Sequence, residues 1–200
     1  MQNNRLERQL QFILEIDKLK LILRQTLLTD GSRRENSAEH SWHLAMMAIL
    51  LAEYAPTQID VLRVIKMLLV HDLVEIDAGD TFCYDVQSNE NKAMREAEAA
   101  NRLFGLLPED QGVELRNLWE EFEAQETGEA RFATALDRLQ PFLHNQHTKG
   151  GTWQIHGITR EQVQRRMQPI EEGAPLIWPF VQKVMEDCVE AGYLRANTET

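Results

Sequence analysis

Histidines, and a few carboxylates close to them, carry most of the chemistry this sequence could perform. Six histidines occur: His40, His43, His71, His144, His147 and His156. His71 is followed directly by Asp72 and preceded by the apolar run Met67-Leu-Leu-Val70. A carboxylate beside such a run is costly to bury unless a cation or hydrogen bonds compensate it. With six His and ten Asp in 200 residues, a His-Asp step arises by chance about 0.3 times, so the pair alone decides nothing. His40, at the start of an expected helix, and Asp137, beside Leu136 inside another, enlarge it into a constellation. Two imidazoles and two carboxylates suit Zn²⁺, Mn²⁺, Co²⁺ or Fe²⁺, with positions left for water and a substrate oxygen. Successive helical residues point about 100° apart, so His71 and Asp72 could hold one ion only from neighbouring corners. A structural ion pair in a helical core remains the alternative from spacing alone.

Two further acids stand near the pair. Glu75 is four residues after His71 and three after Asp72, on the same helix face, where it could activate water. Asp80, just past the expected helix end, could orient that water or protonate a leaving oxygen. The alternative is that Glu75, Asp77 and Asp80 form a solvated acidic helix end, although acid there opposes the helix dipole. Positive charge is also localised. The chain carries −11 overall, yet Lys18 to Arg34 sums to +4, leaving −15 for the rest. Arg24, Arg33 and Arg34 offer bidentate donors to a phosphate, while Lys18 and Lys20 read as a solubilising face. The overall acidity disfavours a nucleic-acid polymer as partner but leaves a small anion open.

These residues need a scaffold, and the apolar pattern supplies a helical one. Only 10 Gly and 6 Pro occur, and 43% of residues are hydrophobic. Leu6, Leu10, Ile13, Ile16, Leu19 and Leu23 trace one face of a first helix. A second is expected from about 38 to 55, with Asn36 or Ser37 as its N-cap, and a third from about 59 to 77, placing His71-Asp72 deep within it. Ala93 to Leu107 and Leu115 to Phe122 mark a fourth and fifth helix. A sixth spans about 129 to 144, with a kink or early end at Pro141. After a loop at 148–152, two more are expected at about 159–169 and 176–191. No strand, repeat or linker is expected, so the reading is a single all-α domain over 1–200. It comprises a motif region at about 38–140 and a C-terminal helical extension at about 153–195. Cys83 and Cys188 cannot build a disulfide framework. The N-terminus lacks a leader-like apolar stretch, and the longest apolar run, Leu44 to Ala52, is far short of the ~20 residues of a membrane span. The expectation is a cytoplasmic protein with no membrane partner.

His40, His71-Asp72 and Asp137 in an all-α chain resemble the H…HD…D pattern of the HD-domain metal-dependent phosphohydrolases. Val70-His-Asp-Leu-Val-Glu-Ile-Asp-Ala-Gly-Asp80 is similar to the longer signature of the 5′-deoxynucleotidase-like branch. There, a Glu three residues after the HD and an Asp five further on do acid–base work, and Glu75 and Asp80 fall on those places. Leu19 to Arg24 and Arg33 to Ser41 are also similar to that branch, so the likeness covers roughly 5 to 145. One departure concerns an Arg-Trp pair that places the nucleotide's phosphate: Arg24 matches the Arg, but Gln25 stands at the Trp.

The resemblance implies one divalent cation (Mn, Co, Fe, Zn or Mg) on His40, His71, Asp72 and Asp137. It also implies Glu75 and Asp80 as catalytic acids, Arg24 and Arg33 as substrate-binding residues, and a homodimer. The expected reaction is removal of phosphate from a small phosphomonoester, a (deoxy)nucleoside 5′-monophosphate. Alternatives are a nucleotide pyrophosphohydrolase of alarmone type and a non-catalytic metal- and nucleotide-binding helical module. A di-iron oxygenase is disfavoured because residues 73 to 136 contain no histidine. His43 reads as a packed or supporting residue, and His144 and His147 as a fraying helix end. Cys83 is expected near the cleft and Cys188 in the core. Trp119, Trp153 and Trp178 read as core or interface aromatics and Trp42 as a border of the site.

Overall fold

A computed structural model describes residues 2–85 and 90–196. The architecture is all-α with one small hairpin. Helix α1 spans Gln2–Ile16 and runs into a 3₁₀ turn, Asp17–Leu21. The first helix therefore does not reach Leu23. Instead β1, Leu23–Leu27, pairs antiparallel with β2, Arg34–Asn36, which corrects the expectation of no strands. The turn between them supplies the reason: Gly31 takes φ 71°, and Asp30 Oδ1 accepts the Ser32 N–H at 2.9 Å. Such local turn chemistry reverses the chain before helix can propagate.

Helix α2, Ser37–Leu51, starts on a capping box. Asn36 Oδ1 accepts the Glu39 N–H at 2.9 Å, and Glu39 Oε2 accepts the Asn36 N–H at 3.1 Å. Helix α3, Val61–Val70, is capped by Asp60 and ends seven residues earlier than expected. His71 and Asp72 thus sit at its C-terminal edge rather than deep inside. The ladder tightens there, with the Leu73 N–H on Val70 O at 3.0 Å, and restarts as the single turn α4, Glu75–Ala78, which stops at Gly79, φ 75°.

Helices α5 (Lys92–Phe104) and α6 (Glu109–Ala124) follow. The 20-residue α7, Gly128–His147, continues through Pro141 instead of ending early. Four shorter or C-terminal helices complete the fold: α8 Gly151–His156, α9 Arg160–Met167, α10 Pro169–Gly173 and α11 Trp178–Glu190. Helix α8 begins inside the stretch expected as a loop. Among the described residues no helix is long and apolar enough to cross a membrane.

Two apolar clusters meet at the HD pair. The larger gathers Leu44, Met67, Leu68, Phe132, Leu136 and Phe142 with the C-terminal helices, and includes Trp153, Trp178 and Cys188. The smaller holds Phe12, Leu19, Val70, Leu73, Val74, Phe104 and Trp119. The chain crosses from the larger cluster at Leu68 to the smaller at Val70, so the polar pair follows directly on the crossing, at their seam.

Helix α10 lies so close on α7 that a Cβ added at Gly173 would stand 2.2 Å from the Arg131 carbonyl oxygen and 2.9 Å from Ala135 Cβ. Overpacking of this kind against backbone typically costs about 1–3 kcal/mol. Gly173→Ala is expected to lower the urea midpoint accordingly, and an unchanged midpoint would show that α10 is not held against α7.

Candidate active site

Three elements converge on the seam. Helix α2 delivers His40, the end of α3 delivers His71 and Asp72, and α7 delivers Asp137; all four are under a tenth exposed. His40 Nε2 is 2.9 Å and His71 Nε2 3.8 Å from the same Asp137 Oδ1. Ligand-type atoms of His40, His71 and Asp137 all lie within 4.8 Å of one another. Asp72 flanks them, its Oδ1 3.0 Å from His71 Nε2 and its Oδ2 accepting from Arg24 Nη1 at 2.8 Å.

The donor set fits a divalent cation, and His71 carries the observation that tests the fit. Its Nδ1 is 2.9 Å from Leu68 O, and a carbonyl only accepts, so Nδ1 bears the proton. Nε2 of the neutral ring then holds a lone pair aimed at two carboxylates, and it has no hydrogen-bond partner. The 3.0 Å approach to Asp72 lacks hydrogen-bond geometry. A proton or a metal ion at that position removes the conflict.

The electrostatics divide the acids into two kinds. Burial works against ionisation of Asp72, but His71 and Arg24 outweigh it and hold the carboxyl below the usual range. Burial likewise opposes ionised Asp137, and Arg138, bonded to its Oδ2, together with His40 and His71 holds it well below that range. Glu75 goes the other way, pushed well above the usual range by burial and then by the Asp72 charge. Burial also raises Asp80. Burial resists protonation of His71, yet Asp72 and Asp137 prevail and push it up to about 10.

These groups open into a cleft of about 1060 Å³, counting its open mouth. Arg24, His71, Asp72, Glu75, Asp80 and Asp137 all line it, while His40 stands behind at 0% exposure. Arg33 does not reach the cleft: its guanidinium, half exposed, is bound to Glu39 Oε1 at 2.6 Å and Oε2 at 2.9 Å. Trp42 is likewise outside the cleft lining, at 63% exposure. Cys83 lines the mouth. The lining also includes the aromatic Phe82, Tyr84 and Trp153 and the basic Arg138 and Arg166, Arg138 being the residue bonded to Asp137. Part of the lining therefore comes from the C-terminal helices.

Several participants carry no spacing signal in the sequence. Ser37 donates to Glu75 Oε2 at 2.6 Å, although its position marks it only as a cap. Glu35 and Gln140 are buried next to His40. His144 is no frayed end; it is 5% exposed, its Nδ1 on Leu27 O at 2.9 Å. Only its place two helical turns beyond Asp137, on the same face, could have pointed to it.

A family model described as HD domain matches residues 16–178. The human protein 5′-deoxynucleotidase HDDC2 is 34% identical over 135 residues, 67% of this chain and 65% of that protein. The 5′-deoxynucleotidase hdd1 of Schizosaccharomyces pombe is 28% identical over 130 residues, 62% of this chain and 64% of its own. This chain thus aligns with just under two thirds of those relatives' lengths. A crystal structure described as a predicted metal-dependent phosphohydrolase from Magnetospirillum magnetotacticum MS-1 is 56% identical, with TM-score 0.93 over 97% of both chains.

A raised histidine pKa stabilises the metal-free fold fully below the unfolded value of 6.5 and progressively less as pH climbs towards about 10. The raised carboxyls of Glu75 and Asp80 act in the same direction, losing their contribution above the ordinary carboxylate range. Chelator-treated protein should therefore melt at falling temperature from pH 6.5 to 10, and a saturating divalent cation should flatten that slope. Equal slopes with and without metal would refute this account of the seam.

Proposed function

Since the chain belongs to the HD domain family, we propose that it is a metal-dependent phosphohydrolase that removes phosphate from a (deoxy)nucleoside 5′-monophosphate. The observation that carries this reading is the unpartnered Nε2 of His71, facing Asp72 and Asp137 at the floor of a cleft that also contains Glu75 and Asp80. The substrate class comes from the 5′-deoxynucleotidase relatives. His40, His71, Asp72 and Asp137 would hold one divalent cation, Mn, Co, Fe, Zn or Mg. When bound, that cation supplies Lewis-acid polarisation of a phosphoryl oxygen.

The chain's own residues account for the remainder. Ser37 pins one oxygen of Glu75. Because burial and the Asp72 charge raise its pKa, Glu75 is a stronger base than an ordinary carboxylate and takes the proton of the attacking water. The water oxygen bonds to phosphorus, the P–O ester bond breaks, and the nucleoside oxygen leaves with a proton from Asp80, itself raised by burial. Products are inorganic phosphate and a nucleoside. Arg24 lines the cleft while bonded to Asp72. It orients that ligand and presents positive charge to the phosphate. Arg33, bound to Glu39 away from the cleft, takes no part in this reading, and Arg138 and Arg166 supply further basic groups in the cleft lining. The nucleoside lies against Phe82, Tyr84 and Trp153. The reading includes a homodimer, for which Trp42, Met46, Ile49 and Leu50 offer one exposed apolar stripe on α2. It places the protein in the cytoplasm, consistent with free Cys83 and Cys188.

Phosphate release from a panel of nucleoside monophosphates with Mn²⁺, Co²⁺ or Mg²⁺ tests the proposal. Glu75→Gln should lower kcat by about 10²–10⁴-fold, the usual worth of a general base, with metal still bound. Asp137→Ala should instead lose the metal. Pyrophosphate as the product, or full activity in Glu75→Gln, would overturn the mechanism.

A further inference from the structure

Behind His40, away from the cleft, lies a second set of buried polar groups that the reaction does not use. Gln140 is 0% exposed on α7, and its Nε2 is 2.6 Å from Glu35 Oε1 of β2, a residue 1% exposed. A carboxylate only accepts, so the nitrogen end of the amide must face Glu35. The oxygen end must then face His40, where Oε1 is 3.1 Å from Nδ1. An amide oxygen also only accepts, so His40 Nδ1 must carry a proton. With Nδ1 committed to Gln140, the ring's other nitrogen, Nε2, 2.9 Å from Asp137 Oδ1, is the one left to face a cation.

The amide is held at its other hydrogen as well. Gln140 Nε2 is 3.1 Å from His144 Nε2, an acceptor because His144 Nδ1 donates to Leu27 O at 2.9 Å. His43 Nδ1, half-buried, is 3.3 Å from the same nitrogen. Every orientation in this chain of bonds follows from the two groups that cannot donate, the Glu35 carboxylate and the Leu27 carbonyl.

We infer that Gln140, anchored by Glu35 and His144, is a positioning residue that fixes the tautomer of His40 and thereby sets the affinity of the site for its cation. The inference rests on the reading of His40 as a metal ligand. A neutral amide transmits orientation from Glu35 without placing another negative charge against a centre that already holds Asp72, Glu75, Asp80 and Asp137. Glu35 Oε2 stands 3.6 Å from His40 Nδ1 and Arg24 Nε 3.8 Å from that oxygen, so the carboxylate stays one step removed from the ring.

Glu35, His43 and His144 could by themselves be taken for a second metal site, since their ligand atoms also lie within 4.8 Å of one another. The Gln140 amide nitrogen occupies the place such an ion would take. One metal ion per chain is therefore expected by elemental analysis, and two would overturn the inference.

The decisive comparison is between Gln140→Met and Gln140→Glu in the full chain, titrated with Zn²⁺ against a competing chelator. Met keeps the volume but removes the acceptor, and should weaken Zn²⁺ binding about 10–100-fold, the range for lost support of a ligating imidazole. Glu keeps an acceptor for His40 Nδ1–H and should hold affinity closer to wild type, even though a second buried carboxylate beside Glu35 lowers its melting temperature more than Met does. A purely structural role predicts the opposite order, with affinity following stability. In Zn²⁺-loaded, ¹⁵N-labelled wild-type protein, His40 should show a protonated Nδ1 and a metal-bound Nε2; a protonated Nε2 would sink the inference whatever the variants do. His40→Ala separates the two layers of argument. If it leaves Zn²⁺ affinity unchanged, the ligand assignment has failed; if it abolishes binding while Gln140→Met does not weaken it, only the positioning role has.

Discussion

The fold is organised by the requirement that several ionisable side chains be sheltered together without leaving any of them uncompensated. An isolated buried carboxylate or imidazolium would cost several kcal/mol. Each element that reaches the seam accordingly brings an answering group. The hairpin contributes Arg24 to Asp72, α2 contributes His40 and the Ser37 hydroxyl, and α7 contributes Asp137 with Arg138 beside it. The two apolar clusters end where this polar matter begins. Helix packing is therefore arranged around the site as much as the site is placed upon helix packing.

That arrangement also gives four carboxyls different work without changing their chemistry. Asp72 and Asp137 are held ionised by imidazole and guanidinium neighbours, as the proposed role of metal ligand requires. Glu75 and Asp80, with fewer cations against them, are driven towards the neutral form by burial and by the charge of the first pair. Environment alone separates the proposed ligands from the proposed proton carriers, a pattern shared by many acid–base sites.

Sequence patterning reveals the helices and most of the cleft acids because both follow a regular spacing. His71, Asp72 and Glu75 lie within five residues, and Asp137 lies on a strong apolar stripe. What stays hidden depends on contacts between distant residues. Leu23 continues the apolar rhythm of α1, so nothing periodic announces that it pairs with Asn36 in a strand. Helix α3 stops at Val70, just where the chain changes from one cluster to the other, which propensity gives no sign of. Arg33 has the right charge and neighbourhood, yet Glu39, six residues on, captures it. Glu35 on the hairpin and Gln140 and His144 on α7 lie about a hundred residues apart and meet only in the folded chain. The C-terminal helices, whose Trp153 and Arg166 wall the cleft, read in sequence as ordinary packing.

Asp137, Gln140 and His144 occupy successive turns along one face of α7, between Leu136, Leu139 and Phe142 of the core. The carboxylate proposed as a ligand and the groups proposed to brace His40 are thus mounted on a single rigid rod. Thermal sliding of that rod carries all three together, so their mutual spacing is insensitive to it. Loosening this cluster of side chains requires α7 to shift as a unit against α2 and the hairpin, dragging its core side chains along. Breathing of this centre is consequently a collective movement of the slow, microsecond-to-millisecond kind, not a matter of one side chain hopping between rotamers.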